Sequence, residues 1–273
     1  MAEAPILSQI NEQRPAGVSS VYGPVRSWRV GMSLGIDPIC VSSICSFNCT
    51  YCQLGSIQVR INERRVFVPT ARVMSDLGES RWREADILTV SGSGEPTLAA
   101  NLGEIIAGAK AFTRKPALVL TNGTLLARGD VQDELRLADR VFVKLDAATE
   151  GVFQRINRPV PGVTLDGIVS ATRQFRVGYG GFLGIQIMFT RVNLPEVGEL
   201  AQLLNSIQPD EVQLNTPTRP YPSHWVIQTR GSHDGVDYPA HPLKRISREE
   251  ARRVEAELRA LTGLRILSVY GEN

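Results

Sequence analysis

The chain has 273 residues, 42% hydrophobic and 21% charged, and its 30 basic and 28 acidic side chains leave a net charge of +2. That composition excludes a disordered or collagen-like chain and gives no broad basic face of the kind that anchors nucleic-acid binders. No apolar run nears the roughly 20 residues needed to cross a membrane, and residues 1–15 lack the basic start and apolar core of a secretory leader.

In chain order, short apolar runs alternate with longer amphipathic stretches. Strands are predicted at Ile36–Val41, Ile87–Ser91, Ala117–Thr121, Val141–Leu145, Leu183–Thr190 and Val212–Asn215. Helices are predicted at Thr70–Arg83, Leu98–Arg114, Val131–Asp139, Thr164–Val177 and Pro195–Ile207, the last with Asn193 as a cap. Ser247, with acids in the first turn behind it, opens a further helix that Gly263 stops, and Leu264–Val269 reads as a last strand. The irregular stretch is Pro217–Pro242, with five prolines and all three histidines in it.

Strands alternating with helices imply a parallel sheet. The chain is short for a closed eight-stranded barrel with extensions, so the expected fold is α/β, a partial (β/α)6 barrel, with a flat doubly wound sheet as the alternative. The expected organisation is an N-terminal extension over 1–35, the barrel over 36–216, and a C-terminal extension over 217–273 packing on it. Period-two alternation puts Thr89 and Ser91 on one strand face. Phe142, Lys144 and Asp146 share another, as do Gln186, Met188 and Thr190, and Gln213 and Asn215. Barrel interiors are ordinarily Val, Ile and Leu, so polar inner faces predict a lumen that holds a polar ligand; the alternative is a sheet with solvent on that face. Lys144 is one of four lysines in the chain, and an unpaired buried lysine is costly.

All four cysteines, Cys40, Cys45, Cys49 and Cys52, fall within 13 residues. The segment Cys45–Cys52 is a C-x3-C-x2-C triplet behind the first predicted strand. Soft thiolates select an iron–sulfur cluster or zinc. Structural zinc wants four ligands, and Cys40 has an odd spacing for that role. A redox pair at Cys49 and Cys52 leaves Cys45 unexplained, and Cys40 itself reads as a small buried residue. A single reduced soft-metal site points to a cytoplasmic protein.

The triplet, with Tyr51 directly before its last cysteine, resembles the signature of the radical S-adenosylmethionine (SAM) superfamily. Ser91, Gly92, Ser93, Gly94 and Glu95 follow the second predicted strand, about 40 residues on, where that superfamily carries a Gly-Gly-Glu segment. Within the superfamily the chain is similar to the wyosine-base-synthase-like group, through Tyr22–Ser27, Ser33–Pro38, Tyr51–Gly55, Ser91–Leu98, Leu145–Ala147, Ile156–Pro159 and Gln213–Pro217. It departs from the tRNA-modifying wyosine enzymes in lacking cysteines for a second cluster.

The resemblance implies a [4Fe–4S] cluster on Cys45, Cys49 and Cys52, whose open iron chelates SAM. One electron then cleaves SAM to a 5′-deoxyadenosyl radical, which takes hydrogen from a substrate. It implies that Gly92, Ser93, Gly94 and Glu95 bind the SAM ammonium and that Asn122 touches ribose or adenine. Lys144 and Asp146 meet the carboxylate and the ribose hydroxyls. Gln186, Gln213 and Asn215 line the lumen, and Tyr51 packs near the adenine. An oxygen-sensitive enzyme of this kind needs a reductant protein of the ferredoxin or flavodoxin type. The expected substrate is a ribosomally made precursor peptide, gripped by a small accessory protein because the chain is too short for its own peptide-recognition domain. The alternatives are tRNA, which Arg155, Arg158, Arg173 and Arg176 could meet, and a non-enzymatic iron–sulfur or zinc module, which leaves the Gly-Glu segment unexplained.

Overall fold

The architecture is that of a computed structural model, which describes residues 18–40, 42–230, 238–243 and 245–270. Eight strands form one sheet: β1 (Val21–Ser27), β2 (Gly31–Ile36), β3 (Ile87–Val90), β4 (Ala117–Thr121), β5 (Arg140–Lys144), β6 (Phe182–Met188), β7 (Glu211–Asn215) and β8 (Ile266–Ser268). Their spatial order is their chain order. β1 pairs antiparallel with β2, and every later pairing is parallel. Helices fill the crossovers: α1 (Thr70–Glu79), α2 (Leu102–Thr113), α3 (Gly129–Leu135), α4 (Glu150–Ile156), α5 (Leu165–Gly178), α6 (Val197–Ile207) and α7 (Arg248–Thr262). The sheet curls without closing, with β1 and β8 as its edges. This is the partial barrel of the sequence reading.

Period-two alternation divides the core. Outward residues such as Leu88, Val119, Val141, Val143, Ile185 and Val212 pack under the buried stripes of the helices in one large cluster. Inward, Ile87, Leu118 and Phe142, flanked by Val30, Leu120 and Phe182, form a small separate cluster. It plugs the lumen at the strands' N-terminal ends. Gly184 makes room for it, since a Cβ there would meet the Phe142 ring at 2.0 Å.

Several boundaries differ from the sequence reading, each for a physical reason. The first barrel strand is Gly31–Ile36, not Ile36–Val41. Asp37 and Pro38 end it, because the buried Asp37 carboxylate accepts from the amides of Ile39 and Cys40 at 3.0 Å each and bends the chain. Cys40 follows at φ 46°, off any strand; Val41 lies outside the described residues. Asn193 does not cap α6: its amide donates to the carbonyls of Asp146 and Met188, and a 3-10 turn over Leu194–Glu196 intervenes. α4 has no counterpart in the sequence reading. The sheet also runs beyond 36–216 at both ends, since β1 and β2 come from the segment read as an N-terminal extension and β8 from the C-terminal one. Residues 1–17 lie outside the described residues, as does His233. The Ser247 cap does form, reciprocated by Glu250, and Gly263 ends α7 at φ 66°. No helix among the described residues is long and apolar enough to cross a membrane.

Candidate active site

The cysteine loop leaves the C-terminal end of β2. Ile44 and Cys45 form a two-residue parallel ladder with Val59 and Arg60. Two successive turns, Cys52 N to Cys49 O at 3.1 Å and Gly55 N to Cys52 O at 3.0 Å, bring the later cysteines round. The loop rests on the end of α4. Thr50 N donates to Ile156 O and Asn48 N to Asn157 O, 2.9 Å each, which uses carbonyls that a helix C-terminus leaves without partners.

The three thiols are partly buried, and their charges would act on one another. Burial pushes the Cys49 thiol up to about 12, the Cys52 thiol up to about 11, and the Cys45 thiol well above the usual range. Left as thiols they stay protonated at neutral pH; metal ligation removes the proton. Amides are in place for the resulting thiolates. Cys45 Sγ accepts from Phe47 N at 3.4 Å and from Asn122 Nδ2 at 3.6 Å, and Cys49 Sγ accepts from Asn157 Nδ2 at 3.5 Å. Among the described residues no trio of His, Cys, Asp or Glu converges tightly enough to hold one metal ion. A cluster asks for something wider, one thiolate on each of three irons, and this partly buried, amide-lined set of three sulfurs fits that demand.

The Ser91–Glu95 turn is welded to the cysteine strand. Ile44 N donates to Ser93 O at 2.9 Å and Glu95 N to Ile44 O at 3.1 Å. The approach admits only glycine: a Cβ on Gly94 would sit 1.6 Å from Ile44 O, and one on Gly92 2.4 Å from the Asp37 carboxyl carbon. Gly92 and Gly94 both have positive φ, 136° and 153° respectively. Gly92 and Gly94 line the cavity, whereas Ser93 and Glu95 do not. Ser93 gives its N–H and hydroxyl to Asp37 Oδ2, at 3.1 and 2.6 Å. Glu95 is 2% exposed. Its carboxylate accepts from Thr97 N, Thr97 Oγ1, Thr121 Oγ1 and Asn122 N at 3.0, 2.7, 2.6 and 2.6 Å. Burial raises its pKa against those hydrogen bonds. Asn122 likewise serves Ser46 Oγ, at 2.8 Å, and the Cys45 sulfur.

The lumen cavity, about 490 Å³, is lined by Cys45, Tyr51, Cys52, Lys144, Gln186, Met188, Gln213 and Asn215, as strand polarity predicts. Gln186 Nε2 donates to Gln213 Oε1 at 2.9 Å, and Gln213 Nε2 to Glu211 Oε1 at 2.8 Å, so the two amides are locked in orientation. Lys144 Nζ lies 2.8 Å from Asp146 Oδ1 and 5.2 Å from the Tyr51 ring centroid. Asp146 sits behind the cavity wall, 1% exposed. It accepts from Tyr51 Oη, from Asn157 Nδ2 at 2.7 Å and from Met188 N at 2.7 Å. Asp146 thereby braces Tyr51, Lys144 and Asn157 from behind the wall. Cys40 is buried and separate from the trio, its thiol donating to Ser19 O at 3.2 Å.

The sequence reading missed Asp37, Arg230, Tyr22 and Asn157. Arg230 pairs with Asp37 at 3.0 Å, donates to Ser19 O at 2.7 Å, and lies 4.9 Å from the Tyr22 ring centroid. Tyr22 Oη shares a hydrogen bond with Ser91 Oγ at 3.1 Å. An acid inside the apolar run Ile36–Val41 was a signal for Asp37; a lone arginine in a proline-rich stretch gives none.

The Radical SAM superfamily matches residues 39–204. A UPF0026 protein of Synechocystis is 44% identical over 245 residues, covering 89% of this chain and 92% of that one. The structure of TYW1 with a lysine–pyruvate adduct bound superposes at a TM-score of 0.62 and 16% identity, covering 96% of this chain and 91% of that one. Streptococcus suis SuiB bound to the precursor peptide SuiA superposes at 0.61 and 16% identity; this chain is covered over 88% but spans only 50% of the SuiB polypeptide. At these identities the two structures show a shared fold.

Proposed function

The chain belongs to the radical SAM superfamily, whose members are enzymes built around a [4Fe–4S] cluster and SAM, and on that premise we propose that it abstracts hydrogen from a peptide substrate admitted through the open side of the half-barrel. When bound, the cluster and SAM supply a 5′-deoxyadenosyl radical. Cys45, Cys49 and Cys52 hold the cluster, and the amides of Asn122, Asn157 and Phe47 support their thiolates. The observation that carries the reading is the Ile44–Gly94 ladder. It fixes the cysteine strand against the glycine turn, so the iron ligands and the groups facing the methionine end of SAM form one rigid unit. The backbone of Gly92 and Gly94 approaches the ammonium, and Lys144, steadied by Asp146, meets the carboxylate. Tyr51, Gln186, Gln213 and Asn215 orient the remainder. Asp37, Glu95 and Asp146 act behind this surface as positioning residues.

Support for a peptide is the laterally open sheet, which lets an extended chain reach the lumen without threading a closed barrel. SuiB, described bound to its precursor peptide, shares that fold. A ferredoxin- or flavodoxin-type reductant and an accessory peptide-binding protein complete the proposal, as does division of the chain into a barrel and flanking segments. The test is anaerobic. Wild type reconstituted with iron and sulfide, given dithionite and SAM, forms 5′-deoxyadenosine, and Cys49→Ala forms none. Equal product from the variant, or failure of the wild type to bind SAM, overturns the assignment.

A further inference from the structure

The Ser91–Glu95 turn carries one residue that the superfamily pattern leaves unexplained: Ser93 stands where the first glycine of Gly-Gly-Glu is expected. Its neighbours Gly92 and Gly94 hold backbone angles that glycine alone adopts readily, and two such residues wander unless something fixes them. The carbonyl of Ser93 accepts from Ile44 N at 2.9 Å, and its N–H and hydroxyl both donate to Asp37 Oδ2, at 3.1 and 2.6 Å. On the other side of Gly92, Ser91 gives its N–H to Ile36 O at 3.0 Å, and its hydroxyl shares a hydrogen bond with Tyr22 Oη at 3.1 Å. Gly92 is thus suspended between two serines, one held by Asp37 and the other by Tyr22.

Arg230 stands behind both holders. Its Nη1 donates to Asp37 Oδ2 at 3.0 Å, and its guanidinium lies 4.9 Å from the Tyr22 ring centroid. The same Nη1 reaches Cys40 Sγ at 2.9 Å, and Nη2 donates to Ser19 O at 2.7 Å. Its carbonyl accepts from Gln53 Nε2 at 3.2 Å, one residue beyond Cys52, so the arginine is also tied to the cysteine loop. The Asp37 side chain is 0% exposed and that of Arg230 8%. Taking the guanidinium away leaves a carboxylate out of water that faces no cation among the described residues, and such a group shifts toward solvent or other donors. Any shift carries Ser93 with it, because Asp37 Oδ2 takes Ser93 N, Ser93 Oγ and Arg230 Nη1 together.

We infer that Arg230 is a positioning residue for the ammonium of SAM: by pairing with Asp37 and lying over Tyr22 it holds Ser93 and Ser91, and through them the aim of the Gly92–Gly94 backbone. The inference rests on the reading above that this backbone faces the ammonium. It gives the proline-rich segment after β7 a part in cofactor recognition, since Arg230 closes the 3-10 turn Ile227–Arg230 within it. It also gives Ser93 a reason to differ from glycine: its hydroxyl is the handle by which Asp37 grips the turn. Arg230 lines the cavity as well, so a direct contact with the SAM carboxylate is the rival role that the test has to separate.

The test is equilibrium dialysis of the cluster-loaded protein against three ligands: SAM, its deamino analogue and its decarboxylated analogue. Arg230→Gln is expected to weaken SAM and the decarboxylated analogue about tenfold or more, and the deamino analogue about threefold or less, because the lost aim matters only to a ligand with an ammonium. Ser93→Ala removes the hydroxyl grip while leaving the Arg230–Asp37 pair, and is expected to show the same selectivity with a loss of about threefold or more for SAM. If iron and sulfide analysis shows that Arg230→Gln does not keep its cluster, Ser93→Ala carries the comparison under the same criteria. Equal losses for SAM and the deamino analogue make the role structural and overturn the inference. So does a loss that vanishes with the decarboxylated analogue, which puts Arg230 on the carboxylate, and so does SAM affinity unchanged in both variants. The wild type separates the two readings: failure to bind SAM refutes the radical chemistry, and equal affinity for SAM and the deamino analogue refutes the ammonium assignment. A wild type that prefers SAM, with variants that keep the preference in full, refutes the part of Arg230 alone.

Discussion

Replacing Glu95 with glutamine distinguishes a strut from a ligand. The carboxylate takes three donors on Oε1, from Thr97 N, Thr97 Oγ1 and Thr121 Oγ1, and one on Oε2, from Asn122 N. Glutamine offers one oxygen. Whichever way its amide turns, an NH2 faces at least one buried donor, and Asn122 N–H is the one least able to find another partner. An orphaned buried donor costs about 1–3 kcal/mol, and the remaining bonds fall from charge-assisted to neutral strength. Relief from burying a charge offsets part of this, so a net loss of about 3 kcal/mol follows. Urea unfolding of the cluster-loaded protein measures it, and equilibrium dialysis measures SAM affinity in parallel. A stability loss of that size with SAM affinity within about threefold is expected. A stability change under about 1 kcal/mol with SAM affinity down more than about tenfold refutes the reasoning and returns Glu95 to the SAM ammonium.

Lys144→Met removes a cation 5.2 Å from the Tyr51 ring centroid while Asp146 keeps its other three donors. SAM affinity is expected to fall about tenfold or more with iron and sulfide content unchanged, read by dialysis and metal analysis. Gly94→Ala drives a methyl into Ile44 O; iron retention and SAM affinity are expected to fall together, with about 3 kcal/mol or more of stability lost in urea unfolding. Burial alone would raise the Asp76 carboxyl, but hydrogen bonds from Ser20 N, Ser20 Oγ and Arg72 hold it below the usual range. A depressed pKa contributes stability that is present above the unfolded value, near 4, and is lost as pH falls through the folded value. The stability gap between wild type and Asp76→Asn is therefore expected at pH 7 and should close below about pH 4; urea midpoints across that range would show it.

Much of the site was legible because its chemistry leaves patterns. Four cysteines in 13 residues have few bland explanations, and Lys144, Gln186, Gln213 and Asn215 stand out as polar residues at period two in apolar runs. β2 was hidden by its own packing. Gly31 and Gly35 weaken its strand signal, yet Gly35 is required because a Cβ there would meet the Tyr22 ring at 2.1 Å. Glu95, Asn122 and Asp146 show what the pattern leaves out. Sequence marks a polar residue near a site but not the direction of its hydrogen bonds, and all three turn back into the protein. Arg230 reaches Asp37 across 193 residues, a pairing that no local pattern encodes.

Leaving a sheet unclosed has a second consequence, for how the molecule meets its own kind. Among the described residues two edge strands remain, and a row of unpaired amides is a template on which another chain can add a strand. Both edges are poor templates here. β1 carries an irregularity in its register between Tyr22 and Val25, and Pro24 within it has no N–H to offer. β8 is three residues long. A half-barrel with edges of this kind can stay unclosed while resisting the sheet-to-sheet stacking that ends in aggregates.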